Sequence, residues 1–318
     1  MAGYALRRLA TVLLLLVAMS LVVFLATHAL PSNTAELILG QYSTPETRAA
    51  LEHKLGLDLP LPVQYWHWAR AMLHGDMGQS LVMERPVAPM LWFAFANSAI
   101  LAVSAMTVVA TLGIAMGVVA AVWRGRWPDH TVSVFSYLGI SVPEFYWGLV
   151  LILVFGSTFH LLPTSGNGSL QDGLGSFLSY LILPVVTLTL TLLAHVSRLT
   201  RSSMTEELDS MYVKVARARG LPERTVVLRH ALRNALLPTI TVLAQDFGFL
   251  IGGIVAVETI FAYPGLGQLL IFSMQRQDLP LMQGAILMLT AVFCLANLGA
   301  DLLYGVVNPR IRYGDAVN

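Results

Sequence analysis

Glu144, Asp246 and Asp301 are acidic residues inside long apolar stretches of this 318-residue chain. A charged side chain in a lipid bilayer is costly, so such a residue usually faces a polar cavity or a partner. We expect Glu144 and Asp246 to face such a cavity and to favour cationic groups there. The alternative is that one or both bond to neighbouring helices. Asp301 lies near Arg310 and Arg312 in the sequence, which favours a structural role.

Other patterns of reactive residues are absent from the sequence. It has no Gly-x-x-x-x-Gly-Lys-Ser/Thr phosphate loop, so we predict that the chain does not hydrolyse ATP. It lacks His-Glu-x-x-His and Gly-x-Ser-x-Gly patterns, and its one cysteine, Cys294, can form no internal disulfide and no thiol-based metal cluster. We interpret His53, His67, His74 and His160 as ordinary surface histidines. The sequence therefore predicts no catalytic residue and no metal site.

Composition indicates what kind of protein positions the three acids. The chain is 56% hydrophobic and 12% charged, whereas soluble domains carry about 25% charged residues. Backbone polar groups cannot stay unpaired in lipid, so apolar stretches near the ~20 residues that cross a bilayer must be helical. We predict an all-α polytopic membrane protein with six transmembrane helices. The predicted spans lie at about 9–30, 98–122, 132–160, 177–197, 235–257 and 281–307.

The first apolar stretch could instead belong to a cleaved signal peptide. Arg7 and Arg8 precede it, and Thr27-His28-Ala29 faintly resembles a cleavage site. The stretch is longer than the roughly 7–15 residues of a signal-peptide core, which favours a retained transmembrane helix.

Lys and Arg placement sets the predicted orientation. With the N-terminus inside, the cytoplasmic segments hold 14 of the 19 Lys and Arg residues, and the external segments hold 5. Both termini are therefore predicted to be cytoplasmic. We divide the chain into 1–30 with the first helix, an external segment 31–97, a five-helix core 98–310 with a cytoplasmic loop at 198–234, and a tail 311–318.

The external segment carries its own helix signals. Thr44 can cap a helix that Pro45 opens and Gly56 ends, and a second helical run beginning at Val63 ends at His74-Gly75. Two interpretations stay open, namely a folded cap on the membrane domain and a docking surface for an external partner.

The cytoplasmic loop has more helix start and stop signals than a simple connector requires. Gly220 can adopt a left-handed conformation and stop a helix after Arg219, and Pro222 can open the next helix. Lys214 and Arg217 are three residues apart, hence on one helical face. The small residues Val213, Ala216 and Gly220 would form a neighbouring face that lets another backbone approach. We predict a docking element, against the alternative of a basic loop that only contacts anionic lipid.

This loop resembles the cytoplasmic signature of binding-protein-dependent ABC permeases. In that family a Glu-Ala-Ala-x-x-x-Gly segment forms a coupling helix that sits in a groove of the ATPase subunit. Ala216 and Gly220 match the segment, while Lys214 and Val215 replace its Glu and first Ala.

The family pattern continues beyond the coupling segment with departures. Of the downstream Ile-x-Leu-Pro only Leu232 matches, and Arg233 replaces the Pro. Residues 229–238, however, resemble the oligopeptide, dipeptide and nickel branch of these permeases. Further resemblances to the B-type subunit lie at 55–65, 75–80, 141–145 around Pro143, 257–267 with Glu258, Pro264 and Gly265, 297–304 with Asp301, and 308–312.

The resemblance implies a permease subunit of an ATP-driven importer in a bacterial inner membrane. It implies a similar C-type permease as partner, two ATPase subunits that bind the ATP and Mg, an extracytoplasmic binding protein, and no cofactor or nucleic acid on this chain. It makes Glu144 and Asp246 the candidates for lining the translocation pathway, where they would favour a peptide amine or a metal complex. It places ATPase coupling on Val213, Lys214, Ala216, Arg217, Arg219, Gly220, Leu221, Pro222 and His230.

The substrate and the transporter class each keep alternatives at this point. The expected cargo is a dipeptide or oligopeptide, with nickel or a metal-chelator complex as the alternative for the same machinery. A stand-alone secondary transporter could also combine six helices, buried acids and basic inner loops, although no clear internal repeat is visible. A membrane-bound enzyme is a distant third interpretation.

Overall fold

The structure, a computed structural model, describes residues 2–29, 44–47 and 58–307. Regular structure in this part of the chain is helical apart from one isolated bridge between Gln79 and Pro86. The helices are α1 (Ala2–Ala29), α2 (Leu61–Leu73), α3 (Val87–Val108), α4 (Ile114–Val122), α5 (Trp127–Ser141), α6 (Glu144–Leu151), α7 (Leu174–Leu208), α8 (Met211–Ala218), α9 (Glu223–Thr225), α10 (Leu232–Ile260), α11 (Leu266–Gln275) and α12 (Leu279–Val307). The π-helical segments Val109–Gly113, Ile152–Thr158 and Val226–Ala231 extend α3, α6 and α9.

Membrane-length helices confirm the predicted all-α polytopic fold. Within the described residues, five helical stretches are long and apolar enough to cross a bilayer, and a bent pair makes a sixth. The five are Leu6–His28, Val87–Val122, Leu174–Leu208, Glu223–Ile260 and Leu279–Leu302, and the pair is Trp127–Ser141 with Glu144–Thr158.

The third span, predicted over 132–160, is broken into two helices. Its two halves meet at an angle of 104°. Val142 is extended, with φ −118° and ψ 130°, and Pro143 caps the second half. Proline has no N–H for the helical ladder and disfavours helical geometry in the residue before it, so the helix ends at this point. Pro184 and Pro238, in contrast, lie inside continuous helices.

Helix α7 is the central element of the bundle. It packs against α3 to α6 and α10, and the main apolar core forms around its buried leucines, among them Leu188 and Leu192. A glycine in α4 allows this helix to approach α7 closely. A Cβ at Gly117 would lie 2.5 Å from the Thr200 Cβ and 2.7 Å from the Ser197 carbonyl oxygen. Glycine is therefore needed where α4 crosses α7.

Most of the basic segment 198–234, which we predicted as a cytoplasmic loop, is helical. Helix α7 continues to Leu208, and a helical stretch starts again at Glu223. At about 1.5 Å per residue, the 35 residues of α7 reach ~50 Å and exceed a ~30 Å hydrocarbon core. Helix α7 therefore projects beyond the hydrocarbon core, and α8 with its two short connections joins it to the helical stretch that starts at Glu223.

The described part of the external segment packs on the bundle. The Thr47 N–H donates to the Thr44 hydroxyl at 3.2 Å, as expected of a cap, whereas Gly56 lies outside the described residues. Helix α2 ends at Leu73, before His74 and Gly75, as predicted. The indole of Trp68 in α2 donates to Gln283 of α12 at 2.9 Å, which ties this segment to the sixth span.

Candidate functional site

Helix α8 lies between the fourth and fifth spans and ends in a tight turn. Its last helical residue is Ala218, and Gly220 follows with φ 76°. The Gly220 N–H donates to the Arg217 carbonyl at 2.9 Å, and the Leu221 N–H donates to the Ala216 carbonyl at 3.4 Å. This pair of bonds is a Schellman motif, for which glycine is the preferred residue at the left-handed position. Pro222 then caps the helix that starts at Glu223, so the predicted helix-turn-helix geometry is confirmed.

The small face of α8 turns inward. Val213 is fully buried and Ala216 is 8% exposed, in an apolar cluster with Met204 at the end of α7 and Val226 after α9. Val213 and Ala216 are therefore covered by the chain's own helices and not available to another backbone, whereas Gly220 of the same predicted face stays exposed. The face that remains accessible carries Met211, Lys214, Val215, Arg219 and Leu221.

Arg217 holds α8 against both neighbouring segments. Its guanidinium donates to the two carboxylate oxygens of Glu223, at 2.7 Å and 3.1 Å, and to the Leu208 carbonyl at 3.4 Å. Hydrogen bonding to Glu223 raises the pKa of the Arg217 guanidinium above its usual value. Arg217 therefore orients α8, and Lys214, the other cation that we predicted on this face, is exposed and has no ion-pair partner among the described residues.

Tyr212 is a second fixed point of α8, and the sequence analysis missed it. Its hydroxyl donates to the Glu207 carboxylate and accepts a hydrogen bond from the Asn234 amide at 3.1 Å. It also lies 3.4 Å from the carbonyl oxygen of His230, a predicted coupling residue. Burial, with help from Glu207, raises the pKa of the Tyr212 hydroxyl. The sequence signal that could have indicated this contact was a tyrosine in the first turn of a short basic helix.

Glu144 and Asp246 lie along the same side of α10. Glu144 is half-buried at the start of α6, where its carboxylate faces Gly253, and among the described residues it has no hydrogen-bond or ion-pair partner. Asp246 is seven residues before Gly253, hence on the same helical face and ~10 Å away along the axis. The bundle thus brings both predicted pathway acids to one face.

Asp246 pairs with a histidine that the sequence analysis did not identify. The His195 Nδ1 atom of α7 lies 3.2 Å from one carboxylate oxygen of Asp246, and the other oxygen is buried without a partner in the described part of the chain. The aspartate side chain is 9% exposed and the histidine side chain 55% exposed. His195 lies far from Asp246 in sequence, and a lone histidine in an apolar stretch carries no spacing pattern.

Glu258 anchors the connection between the fifth span and α11. The fully buried carboxylate accepts hydrogen bonds from the Ser98 hydroxyl at 2.5 Å and from the Gly267 and Gln268 N–H groups at 2.7 Å and 3.3 Å. A Cβ at Gly265 would collide with the same carboxylate. These contacts give the predicted motif residue Glu258 a full set of partners inside the chain.

Pro264 and Asp301 are fixed by contacts to other spans. The Asn97 side chain of α3 donates to the Pro264 carbonyl at 3.0 Å. The guanidinium of Arg8 in α1 lies 3.0 Å from Asp301 of α12, which joins the first and last spans. Arg310 and Arg312, the cations close to Asp301 in sequence, lie outside the described residues. The pair with Arg8 thus joins two helices at opposite ends of the sequence.

The bundle, the projecting basic helix and the intramembrane acids define the class of multi-pass transport permeases. The family described as "Binding-protein-dependent transport system inner membrane component" matches residues 113–313, and its N-terminal companion, "Binding-prot-dependent transport system membrane comp, N-term", matches residues 1–116. Together the two matches cover almost the whole chain. The chain therefore belongs to the binding-protein-dependent permease family.

Relatives at the sequence level match over nearly the full length. The "Glutathione transport system permease protein GsiC" of Salmonella choleraesuis (strain SC-B67) is 40% identical over 313 residues, which is 98% of this chain and 100% of the relative. The protein of the same name from Escherichia coli (strain K12) gives the same identity and coverage. A solved structure titled "Crystal structure of an amino acid ABC transporter with histidines" overlaps with a TM-score of 0.49 and 15% identity, covering 70% of this chain and 94% of that chain.

Family membership settles the coarse function. The protein is a multi-pass inner membrane permease of a binding-protein-dependent ABC importer and is not itself catalytic. The interpretation as a stand-alone secondary transporter is thereby wrong. A system of this kind works with an ATPase and a binding protein.

Proposed function

We propose that this permease imports dipeptides or oligopeptides that an extracytoplasmic binding protein delivers. The observation that carries the proposal is the full-length match, at 40% identity, to permeases named for the transport of glutathione, which is a peptide. A peptide carries both an amine and a carboxylate, and the intramembrane acids Glu144 and Asp246 supply the charge that an amine requires.

The complete importer would contain four further components. The pathway forms between this chain and a homologous C-type permease, and two ATPase subunits bind ATP and Mg on the cytoplasmic side. The binding protein docks outside. Substrate and nucleotide act because they bind the inward-open and outward-open states with different affinities.

Helix α8 is the proposed point of contact with an ATPase subunit. Val213, Ala216 and Arg217 fix the helix to the permease, so movement of the helix moves the fourth and fifth spans with it. Lys214, Arg219 and the exposed apolar residues Met211, Val215 and Leu221 are available to the partner. A groove that receives this surface needs apolar contacts and acidic side chains. Gly220 and Pro222 set the angle between α8 and the following helix, and His230 contributes its carbonyl to the Tyr212 contact.

Reconstitution tests the proposal directly. The purified complex in proteoliposomes, with binding protein outside and ATP inside, should accumulate labelled dialanine or glutathione, and vanadate should stop the uptake. Accumulation of nickel under the same conditions, with no uptake of either peptide, would transfer the assignment to the metal branch of the family.

A glycine pair tests the coupling role. Gly220 and Gly125 have nearly the same backbone conformation, with φ 76° and 73°, and a Cβ at either meets nothing within 4 Å. Leucine at these positions introduces the same backbone strain. Gly220→Leu should reduce the peptide imported per ATP, and Gly125→Leu should not. Equal coupling in both variants would remove Gly220 from the mechanism.

The pathway role of the two acids requires a substrate series. Glu144→Gln and Asp246→Asn keep the side-chain size and remove the charge. Uptake of peptides with free and acetylated amines should then lose its preference for the free amine. Unchanged selectivity in both variants would mean that these acids serve helix packing.

A further inference from the structure

We propose that Arg198 and His195 form a subsite for the carboxylate of the transported molecule. The subsite lies in a cavity of about 400 Å³ between α5 and α7, within the usual size range for small-molecule sites. Its lining residues are Ser133, Tyr137, His195, Arg198, Leu199, Arg201 and Ser202. The inference rests on the proposed peptide function and extends it from the amine to the opposite end of the substrate.

Of the two arginines that line this cavity, only one is available to a ligand. Arg201 is committed to Asp129, because its Nε and one terminal nitrogen donate to the two carboxylate oxygens at 2.5 Å and 2.8 Å. Arg198 is exposed, and no carboxylate in the described part of the chain pairs with it. Its guanidinium carbon lies 5.9 Å from the centre of the Tyr137 ring. A guanidinium held over an aromatic face keeps its planar set of N–H donors free, and that geometry matches a carboxylate.

His195 supplies a second polar group beside Arg198. The two residues are three positions apart on α7 and therefore share a face. The contact of Nδ1 with Asp246 fixes the imidazole ring, and Nε2 has no hydrogen-bond partner among the described residues. Asp246 thus both contacts His195 and neighbours the cavity, which places an acid and a guanidinium within reach of one zwitterionic ligand.

The position of Arg198 along α7 argues against a role in lipid contact alone. Arg198 lies ten residues before the end of α7 at Leu208, or ~15 Å along the axis. Polar side chains from two helices converge on it, namely Ser133 and Tyr137 from α5 and Ser202 from α7. Arg198 therefore belongs to a polar cavity at the inner end of the bundle, which suits a water-filled pathway better than a lipid-facing surface.

The charges also follow an order that suits a peptide. Glu144 of α6 faces Gly253 of α10, and Asp246 lies on the same face of α10. Arg198 follows His195, the partner of Asp246, along α7. An amine that moves from the first acid to the second brings the carboxylate end of the same molecule towards Arg198. Each charged end of the substrate therefore has an opposite charge in the chain.

A single introduced thiol measures the subsite without the binding protein. Ser202→Cys places a thiol in the cavity, and Cys294→Ser removes the only native cysteine. In the purified complex, the thiol is modified with anionic sulfonatoethyl or cationic trimethylammonioethyl methanethiosulfonate. A unit charge about 7 Å away in water changes the local concentration of a singly charged reagent about threefold. The ratio of the anionic to the cationic rate should therefore fall about sevenfold when Arg198→Gln is added.

Competition with small molecules identifies the group that binds. Dialanine should slow modification of the thiol, and dialanine amide should not. Arg198→Gln should abolish this difference between the two ligands, and Arg198→Lys should keep part of it. Arg126→Gln is the matched control, because Arg126 lies 5.7 Å from the Trp123 ring centre in the same kind of contact but outside the cavity. It should leave both the rate ratio and the protection unchanged.

The possible failures can be told apart. Equal protection by dialanine and its amide, or protection by neither, in a complex that imports dialanine would overturn the carboxylate subsite. A complex that imports no peptide overturns the proposed function instead, and acetate against acetamide then tests the subsite by itself. Equal behaviour of Arg126→Gln and Arg198→Gln would assign both arginines to the membrane surface and likewise overturn the inference.

Discussion

Tyr212→Phe removes one hydroxyl and should loosen helix α8 measurably. The hydroxyl donates to the Glu207 carboxylate at the end of α7 and accepts from the Asn234 amide of α10 at 3.1 Å. A hydrogen bond to a charged group contributes roughly 1.5–3 kcal/mol, and one to a neutral group roughly 0.5–1.5 kcal/mol. Tyr212 is 40% exposed, so water replaces part of both bonds and the lower ends of these ranges apply. We expect a loss of about 2 kcal/mol in the local stability of α8.

Amide hydrogen exchange of the purified complex reads this quantity directly. Where exchange follows local opening, its rate reports the free energy of that opening, and about 1.4 kcal/mol corresponds to a factor of ten. The α8 amides of Tyr212→Phe should therefore exchange about 30-fold faster than those of the wild type. Uptake per ATP should fall as well, because a loosely held α8 transmits less of the ATPase movement to the spans.

Tyr146→Phe is the matched control for this experiment. Tyr146 lies at the start of α6, is 56% exposed, and its hydroxyl has no hydrogen-bond partner among the described residues. Its removal should leave exchange in α8 unchanged. Exchange of α8 in Tyr212→Phe that stays within twofold of the wild type would refute the argument that the hydroxyl holds this helix.

Three further substitutions test packing and charge inside the bundle. Glu258→Gln sets an amide N–H₂ against the donors that converge on the carboxylate and should cost about 2–4 kcal/mol of stability. The midpoint of thermal unfolding in detergent should fall, and an unchanged midpoint would contradict the carboxylate contacts. Gly117→Ala should separate α4 from Thr200 of α7 and reduce the yield of assembled complex, a result that wild-type yield would exclude. Arg201→Met leaves the buried Asp129 unpaired and should cost about 3–5 kcal/mol, and Asp129→Leu in the same chain should recover most of that stability.

Local sequence signals predicted the parts of the structure that depend on few residues. Apolar length located the spans, because a helix must satisfy its own backbone in lipid. Gly220 and Pro222 predicted the turn after α8, because a left-handed residue and a missing N–H act within one turn of the chain. Thr44 and the end of α2 at Leu73 followed from the same kind of signal.

The effect of proline in each span, and the neighbour that each helix face packs against, could not be read from the sequence. Proline lies inside α7 and α10 but breaks the third span at Pro143, and apolar length alone cannot separate these outcomes. The small face of α8 could have met either another protein or the chain's own helices. Only the packed positions of Met204 and Val226 show that Val213 faces inward.

Polar partners from separate spans were beyond the reach of the sequence. His195 and Asp246 lie on different helices, as do Ser98 and Glu258. Asp301 was predicted to have a structural role from its neighbours in sequence, whereas its described partner, Arg8, comes from the opposite end of the chain. Such pairs depend on how helices are arranged around α7, and single-sequence spacing carries no record of that arrangement.

The charged groups of the spans divide by whether the chain itself satisfies them. Asp129 is paired with Arg201, Glu258 accepts three hydrogen bonds and Asp301 meets Arg8, so each contributes to holding helices together. Glu144, Arg198 and one oxygen of Asp246 have no hydrogen-bond or ion-pair partner in the described part of the chain. A charge that the chain leaves unpaired is costly away from water unless another molecule or subunit meets it. We infer that the unpaired groups face the pathway and the paired groups build the bundle, because only the former can exchange a substrate for water during the transport cycle.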